Sequence, residues 1–404
     1  MSKYDDLAEK FGTPAYVYDL EVVAESRDQL FDMLPEGFHV FYALKSNPHP
    51  EIGRELRNGG CRAEISSTGE LANALTAGFD PAGILYTGPG KTNAELELAI
   101  AAGVRLFSVE SITDLRHVGA AAEKHEVTAS CLLRINTTAS SGGTGIRMMG
   151  RASQFGIDAE TLPALMPALK SVPGTRVVGA HFFTMSNAQD EGSLLGEYEF
   201  VLRTAAQLRR EVGLPLEVLD IGGGFSSPYA VPGPRTGYPN LRTGLEDLLD
   251  LHLPEWRDGG IELACESGRY LSGSSGSLLA GVVNVKEGRG SRFVILDAGI
   301  NVLGGLSGIG RLLPAAVGIE EAGGEVGSLV GPLCTPGDSL AKATELPELA
   351  PGDIVTVPNV GAYGVTASLI SFLGRPAPTE VVVRGDEIVS VSRLDYQRAY
   401  EVSP

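Results

Sequence analysis

Basic charge, metal-spaced cysteine and long apolar runs are all scarce in this chain, and each shortage excludes a class of protein. Thirty-two lysines and arginines stand against fifty aspartates and glutamates, a formal net charge of −18. That balance argues against nucleic acid or an anionic membrane as a partner. The four cysteines, Cys61, Cys131, Cys265 and Cys334, form no CxxC pair and no zinc spacing. Three sit in apolar, strand-like runs and read as core residues, whereas Cys334 lies in GPLCTPGD, which is turn chemistry. No apolar run approaches the roughly 18 residues that span a bilayer, and the start, MSKYDDLAEK, lacks a signal-peptide pattern. The expectation is a cytoplasmic protein with neither membrane nor nucleic acid as a partner. A hydrophobic share of 43% over 404 residues is enough for a large core and for two or three domains.

A regular beat begins near residue 38. Apolar, β-branched runs alternate with Ala/Leu/Glu-rich stretches of helical period. The runs are FHVFYALKS (38–46), CRAEIS (61–66), ILYTG (84–88), LFSVES (106–111), TASCLLRIN (128–136), RVVGAHFFT (176–184), LEVLDIGGGF (216–225) and IELACES (261–267). In SSTGELANALTAG, Ser67 and Glu70 make a capping box, and Leu71, Ala74, Leu75 and Gly78 share one face. Eight β/α units predict an α/β fold, a closed (β/α)8 TIM barrel over 28–268, with an open doubly wound sheet as the other arrangement they allow. ASSGGTGIRMMGRASQ (139–154) reads as a long loop after the fifth strand. Beyond residue 270 come strands and Gly/Pro turns: SLLAGVVNV, RFVILDAG, GDIVTVPN and TEVVVRGDEIVSVSR. These predict a β-domain over 269–404, joined by residues 1–27 through the opening strand TPAYVYDL.

In such a barrel the site lies at the carboxyl ends of the strands. The polar residues there are Lys45, Ser66, Ser67, Arg134, Asn136, Thr184, Ser186, Gly222, Gly223, Gly224, Glu266 and Arg269. A lysine closing so apolar a run is either at a rim or chemically used, since burying an ammonium is costly. A triple glycine lets backbone N–H groups approach an anion closely, and Arg269 one strand away favours phosphate over a plain tight turn. Taken singly, Lys45 also reads as a rim lysine and Glu266 as a structural partner of Arg269. Taken together, a lysine, a phosphate site and a buried acid suggest pyridoxal 5′-phosphate, with Glu266 keeping the ring nitrogen protonated.

The motifs FYALKSNP, AEISSTGEL, LDIGGGF, CESGRY, GPLCTPGD and NVGAYG stand in an order that resembles the fold-type III pyridoxal-phosphate decarboxylases, the family of diaminopimelate and ornithine decarboxylases. The resemblance covers nearly the whole chain. It implies that Lys45 forms the Schiff base with pyridoxal 5′-phosphate and that Glu266 partners the pyridine nitrogen. It implies phosphate ligands at Gly222, Gly223, Gly224, Ser186, Arg269 and Tyr363, and no metal. His181 and Phe183 fall in the cofactor-binding segment GAHFFTMSN, with Phe183 where many relatives stack a histidine on the ring. Cys334 matches the catalytic cysteine that a neighbouring subunit of a head-to-tail homodimer supplies to protonate the carbanion carbon, and Asp338 follows it in the substrate-facing loop.

Two departures bear on the substrate. Thr335 stands where relatives acting on diamino acids place Glu or Asp against a distal ammonium, and INVLGGLSGIGRLLP lacks the Arg-Pro and Tyr pattern expected for diaminopimelate. YTGPGK, SGGTGIRMMGRASQFGID, ESGRYL and GPLCTPGD look closest to the carrier-protein-linked glutamyl decarboxylase of butirosin biosynthesis. Arg134, Arg147 and Arg151 are then expected on the substrate side, reaching a distal carboxylate or a phosphopantetheine arm, unless the loop arginines are solvated charge. The expected activity is α-decarboxylation of a free or carrier-linked amino acid in secondary metabolism such as antibiotic biosynthesis, with an acyl or peptidyl carrier protein as a possible partner. The alternatives are diaminopimelate decarboxylase of lysine biosynthesis, an amino-acid racemase, and a catalytically dead partner-binding relative.

Overall fold

A computed structural model describes residues 3–137, 146–147, 153–306, 317–319 and 323–399. Eight parallel strands close into a barrel: His39–Ala43, Arg62–Ile65, Leu85–Tyr86, Leu106–Val109, Ala129–Asn136, Thr175–His181, Val218–Asp220 and Glu262–Ser267. The last pairs with the first through Ala264↔His39, so no open edge remains and the doubly wound alternative is excluded. The strands read as near-continuous apolar runs because parallel strands under helices are buried on both faces. Phe41, Leu85, Leu132, Val178 and Ala264, from five different strands, pack into one cluster inside.

Local chemistry places each helix after its strand. Ser67 caps Thr68–Ala77 by accepting the Glu70 N–H, and Gly78 ends that helix at φ +87°. Glu70 does not complete the expected capping box: its carboxylate takes the N–H and hydroxyl of Ser66 instead. Leu71 and Ala74 face the core, while Leu75 is exposed.

The other unit is an eight-stranded sheet. Its path runs Ser339–Leu346, Glu325–Val330, Ser291–Leu296, Gly276–Gly288, Ala15–Asp19, Thr379–Arg384 and Glu387–Arg393, with Ile354–Val357 also on Gly276–Gly288. Ala15–Asp19 lies antiparallel to Gly276–Gly288 and parallel to Thr379–Arg384. Helix Lys3–Phe11 closes one face, with Leu7 and Ala8 against Val17, Leu279, Val381 and Val383. This helix and the strands Glu325–Val330 and Ser339–Leu346 were not expected from the sequence.

By contacts the sheet unit comprises Met1–Val23, Ser227–Arg235 and Ser272–Pro404, and the barrel unit Ala24–Ser226 and Thr236–Leu271. The excursion 227–235 leaves the barrel directly after the glycine-rich turn, where no boundary was expected. Asn359 Nδ2 donates to Val231 O at 2.7 Å, and Tyr229 Oη accepts from Gly305 N at 2.8 Å. Among the described residues no helix is long and apolar enough to cross a membrane.

Candidate active site

Lys45 lies two residues beyond the first barrel strand, in the 3₁₀ turn Leu44–Ser46, and its side chain is 41% exposed at the barrel mouth. Its Nζ sits 3.2 Å from Glu64 Oε2 at the end of the second strand, and Thr87, just beyond the third, donates its hydroxyl to the other Glu64 oxygen. Glu64 is buried, so this pair keeps an ammonium at the mouth without stranding a carboxylate. The Phe183 ring lies beneath, 5.6 Å from Lys45 Nζ to its centroid.

Arg134, expected to meet substrate, is engaged otherwise. Its Nη1 donates to Glu110 Oε1 at 2.9 Å, and its guanidinium carbon stands 4.6 Å from the Phe155 ring centroid and 5.9 Å from that of Phe183. Glu110 also accepts the Gly156 N–H at 2.6 Å. With its charge matched by Glu110, Arg134 lines the mouth, and its Nε, buried without a hydrogen-bond partner among the described residues, keeps a donor uncommitted. Its distal neighbours add nothing here: Arg147 is described only by its backbone pairing with Met185, and Arg151 lies outside the described residues.

Beneath the mouth are three buried ionisable side chains from three adjacent strands. His181 Nε2 stands 3.1 Å from Glu266 Oε1, and the Ser108 hydroxyl is 2.7 Å from His181 Nδ1. Burial raises a carboxyl, but His181, Lys45 and Arg134 outweigh it and hold Glu266 down at about 2. Burial lowers a histidine, but Glu266 and Asp220 outweigh it and raise His181. For Asp220 burial and the Glu266 charge prevail, and the carboxyl is pushed up to about 7.

The glycine turn follows Asp220. Gly222 holds φ +80° and Gly224 φ +118°, and a Cβ on Gly222 would run into the Phe182 carbonyl. A Cβ on Gly223 would come within 2.6 Å of the Glu266 carbonyl oxygen. Asp220 Oδ1 accepts the Gly222 N–H at 2.9 Å, and Tyr198 Oη donates to Gly223 O at 2.9 Å. Ser186 lies in the short strand Met185–Ser186, and Arg269 opens the turn Arg269–Ser272 that follows the Glu266 strand. The bare glycine backbone, a carboxylate held ionised and a lysine at the rim fit a phosphorylated pyridine aldehyde.

The remaining candidates lie in the sheet unit. Cys334 is exposed, whereas Cys61, Cys131 and Cys265 are buried; burial pushes Cys61 up to about 12 and raises the other two as well. Tyr363 takes φ +52°, and its carbonyl accepts from Tyr229 Oη at 3.3 Å. Asp338, expected to face substrate, is 4% exposed and turned inward: Oδ1 accepts from Ile300 N at 2.8 Å and Oδ2 from Leu333 N at 2.7 Å. It pins the loop that bears Cys334 and Thr335.

Glu64, Thr87, Ser108, Glu110, Tyr198 and Asp220 were not singled out from the sequence. All but Tyr198 are polar residues in or just beyond barrel strands, so the strand-end census that found Lys45 and Glu266 had the signal to find them.

Known proteins resemble this chain over most of its length. Residues 21–273 match the family model described as pyridoxal-dependent decarboxylase, pyridoxal binding domain. The chain is 32% identical over 96% of its length, and 92% of the relative's, to an L-glutamyl-[BtrI acyl-carrier protein] decarboxylase from Niallia circulans. To a diaminopimelate decarboxylase from Methanothermobacter thermautotrophicus it is 30% identical, over 95% of this chain and 89% of that one. A crystal structure of diaminopimelate decarboxylase from Helicobacter pylori, complexed with L-lysine, superposes with a TM-score of 0.83 at 27% identity, covering 96% of this chain and 95% of that one.

Proposed function

Since the chain belongs to the pyridoxal-dependent decarboxylases, and is an amino-acid decarboxylase dependent on pyridoxal 5′-phosphate, we propose that it removes the α-carboxylate of an amino acid whose far end carries no ammonium group. Carrier-linked glutamate is the leading candidate. The observation that carries this reading is the loop 331–338. Its position next to the cysteine is Thr335, and its one acid, Asp338, has both oxygens committed to backbone N–H groups. The loop therefore presents no carboxylate to a distal ammonium, which a free diamino acid would leave unpaired at a cost. Similarity to the Niallia circulans enzyme supports the carrier-linked form; similarity to diaminopimelate decarboxylases supports free diaminopimelate as the second reading.

Within this reading Lys45 would hold the cofactor and Glu266 would set its negative charge against the ring nitrogen. The N–H groups of Gly223 and Gly224, with Ser186, Arg269 and Tyr363, would bind its phosphate, while Gly222 gives its N–H to Asp220 and supplies the left-handed backbone that turns the loop. Bound pyridoxal phosphate supplies an electron sink for the pair left behind when carbon dioxide departs. Glu64, 3.2 Å from Lys45 Nζ, is placed to take up or return a proton of that nitrogen. Cys334 of a neighbouring subunit, or Lys45, delivers a proton to the α-carbon, so that an amino acid and one proton become an amine and carbon dioxide. Phe183 and Arg134 wall the mouth and limit water at that carbon.

Steady-state carbon dioxide release across free diaminopimelate, ornithine, glutamate and carrier-linked glutamate is the test. Carrier-linked or free acidic amino acids are expected to turn over best. Efficient turnover of free diaminopimelate with carrier-linked glutamate untouched would return the enzyme to lysine biosynthesis. Borohydride reduction should fix the cofactor to the peptide containing Lys45; label on another lysine refutes that assignment.

A further inference from the structure

Asp220 ends the seventh barrel strand and is fully buried. Its Oδ1 accepts the Gly222 N–H at 2.9 Å, an Asx-type turn that sets the first glycine of the loop at φ +80°. Its Oδ2 is buried and has no hydrogen-bond partner among the described residues. Donor and acceptor atoms of His181, Asp220 and Glu266 all lie within 4.8 Å of one another. An asparagine would serve the turn equally well without the cost of burying an ionisable group, so the turn alone does not account for an aspartate here.

We propose that Asp220 is a positioning residue that ties the two ends of the cofactor site together: through Gly222 it shapes the phosphate loop, and beside His181 and Glu266 it sets the charge that meets the ring nitrogen. The inference rests on the reading that Glu266 partners that nitrogen. The groups that act on Asp220 come from three other strands and the glycine turn: Glu266 on the eighth, His181 on the sixth, Glu64 on the second and the Gly222 N–H, with Lys45 and Arg134 acting through Glu266. Two ionised carboxylates against one imidazolium leave a surplus negative charge in a buried cluster. With Asp220 protonated, as its value of about 7 allows below neutrality, the His181–Glu266 pair is balanced and the protonated oxygen becomes a donor within the cluster. As pH rises through that value, the surplus charge appears and the negative potential at the ring nitrogen grows. One side chain thus communicates between a phosphate and a heterocyclic nitrogen that it need not touch.

The experiment uses apo-protein reconstituted with pyridoxal 5′-phosphate or with pyridoxal, which lacks the phosphate. D220N keeps an acceptor for Gly222 but cannot ionise; D220A loses both properties. D220N is expected to bind pyridoxal 5′-phosphate within about threefold of the wild type and to lose the pH-dependent step near neutrality in the visible absorption of the bound cofactor. D220A is expected to weaken pyridoxal 5′-phosphate at least tenfold and pyridoxal by less. A wild-type pH profile in D220N, or wild-type affinity in D220A, overturns the proposal. If circular dichroism shows D220A unfolded, the D220N profile decides alone. E266A separates the two ideas: if the absorption and its pH profile survive E266A, it is the assignment of Glu266 that falls, whereas a change in E266A with none in D220N sinks Asp220 alone.

Discussion

Buried groups held above their ordinary values, His181, Asp220 and Glu380, take stability away as pH rises toward and past neutrality. His181 is raised above its ordinary 6.5, so the stability it adds is fully present below that value and lost as pH climbs through the higher folded one. Asp220, raised from 3.8 to about 7, behaves alike: its contribution fades on the way to neutrality. Glu266, lowered from 4.5 to about 2, has the opposite sign and loses its contribution only in acid. Urea unfolding of the apo-protein should therefore show greater stability at about pH 6 than at about pH 8.5, and a flat or rising profile would contradict the charge assignments. Asp338 makes a second prediction. Replacing it with alanine leaves the buried N–H of Leu333 and the half-buried N–H of Ile300 without an acceptor, a loss of about 2 kcal/mol in unfolding free energy. Carbon dioxide release should fall at least tenfold because the Cys334 loop is no longer pinned. D338N, which keeps one acceptor oxygen, should lie between.

The strand-and-turn elements make the site, and the glycine turn is its most demanding piece. Gly222→Ala forces a side chain into left-handed backbone and against the Phe182 carbonyl, and should cut affinity for pyridoxal 5′-phosphate more than tenfold in fluorescence titration. A wild-type constant would mean that the loop does not bind the phosphate. The turn was legible in the sequence because three adjacent glycines break a strand pattern, and the barrel because strands buried on both faces cannot hide their apolar runs. The short third strand, Leu85–Tyr86, was readable for that reason. Glu325–Val330 and Ser339–Leu346 were not: each leaves several positions exposed, which dilutes the apolar signal among Gly, Ser, Lys and Glu. Asp338 and Arg134 illustrate a different limit. Their positions marked them as polar residues near a site, but whether a carboxylate or guanidinium faces substrate or its own chain depends on partners such as Ile300 and Glu110, which no local pattern identifies.

At the scale of the whole molecule, a homodimer with shared sites is part of the proposal, and it predicts complementation. Mixing inactive Lys45→Ala with inactive Cys334→Ala should restore part of the activity, since one site of each hybrid keeps both residues. Hybrids that form and stay inactive would confine each site to one chain. The order of the strands also has a consequence for biosynthesis. Ala15–Asp19 is central in its sheet, yet one neighbour begins at Gly276 and the other at Thr379. At about 5 to 20 residues per second, a ribosome takes on the order of 20 to 70 s to deliver the second neighbour after the first strand has emerged. All eight barrel strands are made in that interval, while a strand of sequence AYVYD waits with both edges open. The cell must shield that segment on the nascent chain, and codons or temperatures that slow the last third of translation should lower soluble yield without altering the finished protein.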